Sequence, residues 1–271
     1  MPEKKEIALM YSGGLDTTYT ALQLAEEFSK VHLLTFCNGM CVRVGASKIH
    51  VGLLQKRFGA DKFEHSIISV AQILYFLKKG LLKDMAKAHS PLLFDLCCRL
   101  SMEIAMVFYC LDRGIKYATD GNNPDTQGEI FLQQEKYLKL TAAFFSGYGI
   151  QYFHPVKQLE SRGRIIKQLE AAGIKTGKNL LGKIGITTQL FTQPFCLWAP
   201  LTFFFTSNLR KVPGVKYFAI STEDAIAFRL KKEKLAKDVI DYLKLNSSIS
   251  HVYPCKKNNL SKLFNFIYHK R

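Results

Sequence analysis

Three features are missing from the sequence: a long apolar run, an excess of glycine and proline, and an even set of cysteines. Glycine and proline account for 18 and 8 of the 271 residues, an average share that excludes collagen-like and low-complexity chains. The longest strongly apolar run, Phe195–Phe205, contains Pro200 and falls far short of the roughly 20 residues that span a membrane. We therefore expect a soluble, cytoplasmic protein without a membrane partner and without an export leader.

The cysteine content argues against a disulfide scaffold. Seven cysteines are an odd number in a large chain, and we predict that they are reduced, catalytic or metal-binding thiols. They stand at positions 37, 41, 97, 98, 110, 196 and 255.

Acidic residues are scarce in the second part of the chain. Residues 1–154 hold 17 Lys and Arg against 15 Asp and Glu, whereas residues 155–271 hold 21 against 7. The net charge of +16 is therefore concentrated in the C-terminal part. Such an asymmetry is typical of a near-neutral domain joined to a region that binds a polyanion.

Short apolar runs alternate with amphipathic segments along the first part of the chain. Ile7–Tyr11 and Val31–Phe36 read as buried strands, while the patterns over 71–87 and 96–113 predict long helices. This alternation predicts an α/β fold with a doubly wound parallel sheet. We expect one domain over residues 1–157, followed by a smaller basic, mostly helical C-terminal region over 158–271.

A glycine-rich turn follows the first strand and opens a helix. Two adjacent glycines allow the backbone to approach a ligand, and the N–H groups at a helix N-terminus favour an anion. Hydroxyl and carboxylate side chains flank them. The candidate phosphate-binding residues of this turn are Ser12, Gly13, Gly14, Leu15, Asp16, Thr17 and Thr18.

This turn resembles the PP-loop of the ATP pyrophosphatases, which have the adenine nucleotide alpha hydrolase-like, Rossmann-like fold. The resemblance implies that ATP is cleaved between its α and β phosphates, that a substrate oxygen is adenylated, and that the loop binds the departing pyrophosphate. It further implies that Asp16 helps to place Mg²⁺. Gly121, in the turn after a later strand, is the matching cofactor-binding position.

Within that family, the sequence is most similar to the tRNA thiouridylases and other sulfur insertases. Two segments carry this similarity, Asp95–Arg99 and Tyr117–Asn123, and Cys196 stands 98 residues after Cys98. The resemblance implies that Cys98 or Cys97 carries sulfur as a persulfide and that Cys196 resolves a disulfide. Because both lie at the start of a predicted helix beside Arg99, we expect a lowered thiol pKa.

A second arrangement of the cysteines is open. In some related thiouridylases three thiolates hold a [4Fe–4S] cluster and leave one iron free for sulfide. Cys97, Cys98 and Cys196 are the corresponding candidates here, although the usual Cys-x-x-Cys spacing is missing.

The basic C-terminal part fits tRNA as the substrate, with a persulfide carrier as the sulfur-donor protein. Candidate phosphate contacts are Arg210, Lys211, Lys216, Arg229, Lys231, Lys232, Lys234 and Lys237. Other hypotheses are an amide- or amine-forming synthetase or a sulfur insertase acting on a small metabolite, and a non-catalytic tRNA-binding protein. The oligomeric state is open.

Overall fold

The computed structural model describes residues 5–121, 131–154, 162–174, 193–198 and 220–246. The chain divides into two compact units. The first comprises Met1–Phe36, Cys41–Ile67 and Arg113–Phe195, and the second comprises Cys37–Met40, Ile68–Asp112 and Cys196–Arg271. The domain boundary predicted at residue 157 lies outside the described residues.

The strands follow the buried apolar runs of the sequence. They are β1 (Glu6–Met10), β2 (Lys30–Cys37), β3 (Cys41–Val42), β4 (Phe63–Ser69), β5 (Tyr117–Asp120), β6 (Gln151–Phe153) and β7 (Phe195–Cys196). Five of them form a parallel sheet in the order β4-β2-β1-β5-β6. β3 and β7 pair separately as a two-stranded sheet.

Helices fill the connections between the strands. They are α1 (Leu15–Glu27), α2 (Lys48–Phe58), α3 (Ala71–Leu77), α4 (Leu81–Ala88), α5 (Leu92–Arg113), α6 (Glu135–Ser146), α7 (Arg162–Ala171) and α8 (Thr222–Asn246). Short 3-10 helices cover Val44–Ser47, Ala60–Lys62 and Phe131–Gln133. Among the described residues, no helix is long and apolar enough to cross a bilayer.

The strand order confirms the predicted α/β fold with its doubly wound sheet. β1 lies in the middle, and its register pairs Leu9 with Leu33 of β2 on one side and with Thr119 of β5 on the other. β2 and β4 therefore lie on one side of β1, whereas β5 and β6 lie on the other, so the strand order reverses between β1 and β5. In open parallel sheets, ligands bind beside the carboxyl ends of the strands at such a switch point.

The core of the first unit lies under the central strands. Ile7 and Leu9 of β1 are fully buried, and α1 and α7 contribute Leu24 and Leu169 to the same apolar cluster. The ring of Phe28, just after α1, stacks on Phe153 with centroids 6.3 Å apart. This packing fixes α1, and with it the turn that precedes α1.

The predicted helix over residues 71–87 is in fact two helices. α3 ends at Leu77, and Gly80 adopts a left-handed conformation with φ of 73° before α4 begins. Glycine takes this conformation without the steric cost of a Cβ, so it breaks the apolar pattern into two segments.

The helix predicted from residue 96 begins earlier, at Leu92. Ser90 Oγ accepts the N–H of Leu92 at 3.3 Å, and Pro91 directly precedes the helix. Serine and proline are common where helices begin, because a serine oxygen can accept a free N–H of the first turn and proline has no N–H to leave unpaired. Cys97 and Cys98 therefore lie in the second turn, and the prediction that placed them at the helix start was wrong.

Candidate active site

The glycine turn lies between β1 and α1, at the carboxyl end of the central strand, where open parallel sheets bind ligands. Gly13 has φ of 80°, a conformation that favours glycine. Gly14 precedes the first residue of α1, and among the described residues no side-chain oxygen caps this end of the helix. The N-terminal end of α1 thus presents backbone N–H groups and the positive end of its dipole.

Hydroxyl groups hold the turn in its shape. Ser12 Oγ lies 3.1 Å from Thr17 Oγ1 and accepts the N–H of Gly14 at 3.2 Å. The Thr18 hydroxyl donates to the Gly14 carbonyl at 2.7 Å. Ser12 is exposed whereas Thr18 is fully buried. The turn is therefore braced from inside, and its outer rim keeps hydroxyl groups toward solvent.

His50 contacts the glycine turn, although the sequence pattern did not predict it. Its Nδ1 lies 2.8 Å from the Gly13 carbonyl oxygen and 3.3 Å from Thr18 Oγ1. Because a carbonyl only accepts, Nδ1 carries the proton. His50 is 1% exposed on α2, so a buried imidazole fixes the orientation of the Gly13 peptide. A single histidine in an amphipathic helix gives no sequence signal for this role.

Gly121 follows β5, which is the strand next to β1. A Cβ placed on Gly121 would lie 2.5 Å from Thr17 Cγ2 and 2.9 Å from Thr17 Cα. A Cβ placed on Gly14 would instead lie 2.5 Å from Oε1 of Gln193. The structure therefore brings the predicted Gly121 against the glycine turn, and it adds Gln193 to the residues around it.

Two further polar side chains lie at the ends of neighbouring strands. Asp120, the last residue of β5, is 3% exposed, and its Oδ1 lies 3.0 Å from Nδ1 of His154 after β6. Asp16 is half-buried in the first turn of α1, and its carbonyl accepts the Thr20 hydroxyl at 3.0 Å. Asp16 thus lies at the start of the helix that follows the glycine turn.

The second unit brings together two of the three predicted sulfur residues. The side-chain nitrogen of Asn38 lies 2.9 Å from Cys98 Sγ and 3.5 Å from Cys196 Sγ. Phe94, one helical turn before Cys98, packs against Trp198 with ring centroids 4.6 Å apart. Two cysteines distant in sequence therefore share one hydrogen-bond donor.

Cys97 lies elsewhere. Its thiol is fully buried and donates to the Leu77 carbonyl at 3.7 Å. Among the described residues, no three His, Cys, Asp or Glu side chains are grouped so that they could hold a metal ion. The set Cys97, Cys98 and Cys196 does not fit a [4Fe–4S] cluster, because three thiolates have to converge on one cluster.

The predicted lowering of the thiol pKa was also wrong. Burial raises the pKa of Cys98 to about 12, although the hydrogen bond from Asn38 acts in the opposite direction. Burial likewise raises the pKa of Cys97 to about 12. Arg99, which was expected to act on these thiols, forms an ion pair with Glu103 at 2.9 Å. Both thiols are therefore protonated at neutral pH.

The predicted phosphate contacts on α8 fall into two groups. Three of them bind other residues of the fold. Buried Arg229 forms an ion pair with Glu103, and Lys231 forms one with Asp84 at 3.1 Å. Lys232 donates to the Lys79 carbonyl at 2.8 Å. Lys234 and Lys237 are exposed. The other candidates, Arg210, Lys211 and Lys216, lie outside the described residues.

Comparisons with known proteins give similar folds only. No protein-family model matches the chain, and no curated protein matches it. One similar solved structure is a predicted subunit of a tRNA methyltransferase from Methanocaldococcus jannaschii, with 16% identity and a TM-score of 0.43 over 62% of this chain and 76% of that one. Another is a 4-thiouridine synthetase in complex with RNA and bound ATP, with 14% identity and a TM-score of 0.48 over 88% of this chain. This chain covers 53% of that synthetase, and at such identities the likeness extends to the fold alone.

Proposed function

We propose that the protein cleaves ATP to AMP and pyrophosphate, adenylates a carbonyl oxygen of a nucleobase in tRNA, and replaces that oxygen with sulfur. One observation carries the proposal. Cys98 and Cys196, two of the three cysteines that the resemblance implies for sulfur handling, both contact the side-chain amide of Asn38. If the two cysteines were only small buried side chains, packing alone would not require both of them to contact the same polar group.

The glycine turn would hold the phosphates of ATP. Its backbone N–H groups and the N-terminal end of α1 attract an anion, and Ser12 and Thr17 add hydroxyl groups. Asp16 would hold Mg²⁺, since one carboxylate together with phosphate oxygens is a common environment for this ion. Bound there, Mg²⁺ would neutralise charge on the phosphates as pyrophosphate departs.

The sulfur step follows from the cysteine pair. The thiolate of Cys98 first attacks the outer sulfur of a persulfide donor, and the donor's own thiolate leaves with the electron pair of the broken S–S bond, so that Cys98 carries a terminal sulfur. That sulfur, as an anion, attacks the adenylated carbon, and AMP leaves with the electron pair of the C–O bond. The thiolate of Cys196 then attacks Cys98 Sγ, and the broken S–S bond releases the thiolated base with its electron pair. A dithiol reductant returns the Cys98–Cys196 disulfide to two thiols.

Helices of the second unit offer a basic surface for RNA. Lys231 of α8 binds Asp84 of α4, and Lys232 binds the carbonyl of Lys79, two residues after the end of α3, so these helices are neighbours. The residues that we call the basic surface are the exposed side chains Tyr75, Lys78, Lys83, Lys87, Lys234 and Lys237. Lysines neutralise phosphates, and Tyr75, which is 51% exposed, offers a ring for stacking an unpaired base.

Replacing Lys234 and Lys237 together with alanine is expected to weaken RNA binding. Each phosphate contact that is lost lowers the slope of log affinity against log salt by about 0.7 for single strands. Filter binding of bulk tRNA at several salt concentrations measures this slope. A matched control is the replacement of Lys136 and Lys139 on α6. Equal slopes for the two double variants would show that the basic surface does not bind RNA.

The proposed function is tested with ATP labelled at the α phosphate, in the presence of Mg²⁺ and with or without bulk tRNA. We expect labelled AMP to form only when tRNA is present. AMP formation that ignores tRNA would indicate a small-molecule substrate. ADP as the product, or RNA binding without any turnover, would contradict the pyrophosphatase activity itself.

A further inference from the structure

Asn38 connects the two cysteines through a single amide group. Its nitrogen lies within hydrogen-bonding distance of Cys98 Sγ and of Cys196 Sγ. A side-chain amide nitrogen carries two hydrogens, so each sulfur can accept one of them. We propose that Asn38 is a positioning residue whose amide stabilises the anionic sulfur first of Cys98 and then of Cys196 during sulfur transfer. This inference rests on the proposed function.

The orientation of the Asn38 amide is fixed by the backbone. The N–H of Met40 donates to Asn38 Oδ1 at 2.9 Å, so the oxygen faces the chain and the nitrogen faces the sulfurs. Gly39, between them, has φ of 87°, which a residue with a Cβ would seldom adopt. The reversed amide would set an N–H against the N–H of Met40, and only the observed orientation satisfies both ends.

The same short loop also places Cys196. The N–H of Leu197, the next residue after Cys196, donates to the Met40 carbonyl at 3.2 Å. Asn38 and Cys196 are thus tied together through the backbone as well as through the side chain. The donor and the second sulfur are set relative to each other before any substrate binds.

Electrostatics explain why such a donor is needed. Cys98 is 7% exposed and Asn38 is 6% exposed, so little water reaches an anion that forms there. Burial raises the thiol pKa of Cys98, and Cys196, Asp95 and Cys97 raise it further, whereas the Asn38 hydrogen bond lowers it. A hydrogen bond to a charged group is stronger than one to a neutral group, so the amide helps most when a sulfur is ionised.

The two N–H groups match the order of events. In the loading step the negative charge lies on Cys98 Sγ as it attacks the outer sulfur of the donor. In the resolving step it lies on the attacking Cys196 thiolate and leaves with the thiolated base. An amide that contacts both sulfurs can follow the charge without moving its side chain.

The test measures how the alkylation rate of Cys98 by iodoacetamide depends on pH, with the full-length protein and peptide mass spectrometry. Asn38→Asp keeps an oxygen for the N–H of Met40 but loses the donor, and Asn38→Leu loses both. We expect the rate at Cys98 to fall roughly tenfold in each variant at every pH below its thiol pKa. Cys97, whose thiol donates to Leu77 instead, is the internal reference and is expected to keep its rate.

Unchanged rates at Cys98 in folded variants would overturn the role of Asn38. If Cys97 and Cys98 both react faster, the Asn38 variant has lost its fold. The role of Asn38 is then tested in the protein that keeps Asn38. There, Cys98→Ala is expected to shift the NMR resonances of the Asn38 side-chain amide protons, and unshifted resonances would overturn the inference. If the alkylation rates and the amide resonances change as expected but the protein does not thiolate RNA, the result would contradict the proposed function and leave the contact of Asn38 with the two sulfurs in place.

Discussion

Cys98→Ser is expected to lower the incorporation of sulfur into RNA roughly a hundredfold or more, because serine cannot carry a persulfide. RNA-dependent release of AMP is expected to continue, since the glycine turn keeps its own contacts in the first unit. The two rates are measured on the same samples, one from radiolabelled sulfur in RNA and the other from α-labelled ATP. A separation of the two rates is the signature of a sulfur nucleophile that acts after adenylation.

Cys97→Ser is the matched control for this prediction. The two cysteines are adjacent on α5, both are buried, and burial raises both pKa values to about 12. Of these two, Cys98 contacts Asn38, whereas the Cys97 thiol donates to the Leu77 carbonyl. Equal losses in the two variants would point to a packing role. Full activity of the protein with Cys98 and Cys196 both changed to serine would favour an amide-forming synthetase.

Cys196→Ser separates resolution from attack. Without the second thiolate, the disulfide between Cys98 and the transferred sulfur has no internal partner to break it. We expect an RNA–protein adduct to accumulate on non-reducing gels and to disappear when a thiol reductant is added. Absence of the adduct, with normal thiolation, would remove Cys196 from the mechanism.

The sequence predicted the sheet and the glycine turn because both depend on local patterns. Buried strands are continuous apolar runs, and the pair Gly13-Gly14 after the first of them is a strong signal for a ligand-binding turn. The start of α5 was also predictable from Ser90-Pro91, since serine and proline are both common where helices begin. The error in placing that start led directly to the error in the thiol pKa.

Asn38 and His50 could not be predicted in the same way. Asn38 is 60 residues from Cys98 and 158 from Cys196, and His50 is 37 from Gly13. Neither belongs to a spacing pattern, because their roles arise only when separate segments pack together. Net charge was misleading for a related reason: it counts Arg229, which is fully buried against Glu103, as if it were available to RNA.

Gly121→Ala is expected to reduce ATP cleavage roughly a hundredfold and to lower stability by about 1–3 kcal/mol. The added Cβ would meet both the side chain and the Cα of Thr17. A backbone atom cannot rotate away, so the first turn of α1 has to shift, and the shift would move the N–H groups that hold the phosphates. α-Labelled ATP measures the cleavage rate, and thermal unfolding measures the stability.

Two other glycines make this prediction specific. A Cβ on Gly52, in the exposed part of α2, meets no atom within 4 Å. Gly52→Ala is therefore expected to leave ATP cleavage unchanged and to stabilise the helix by about 0.5–1 kcal/mol. A Cβ on Gly14 would meet the end of the flexible Gln193 side chain, which can move away, so we expect Gly14→Ala to fold normally. We expect it to lose ATP cleavage, because the backbone of this turn has to approach the phosphates closely. If Gly121→Ala behaves like Gly52→Ala, then the close approach of β5 to the glycine turn does not shape the site, and the phosphates are held elsewhere.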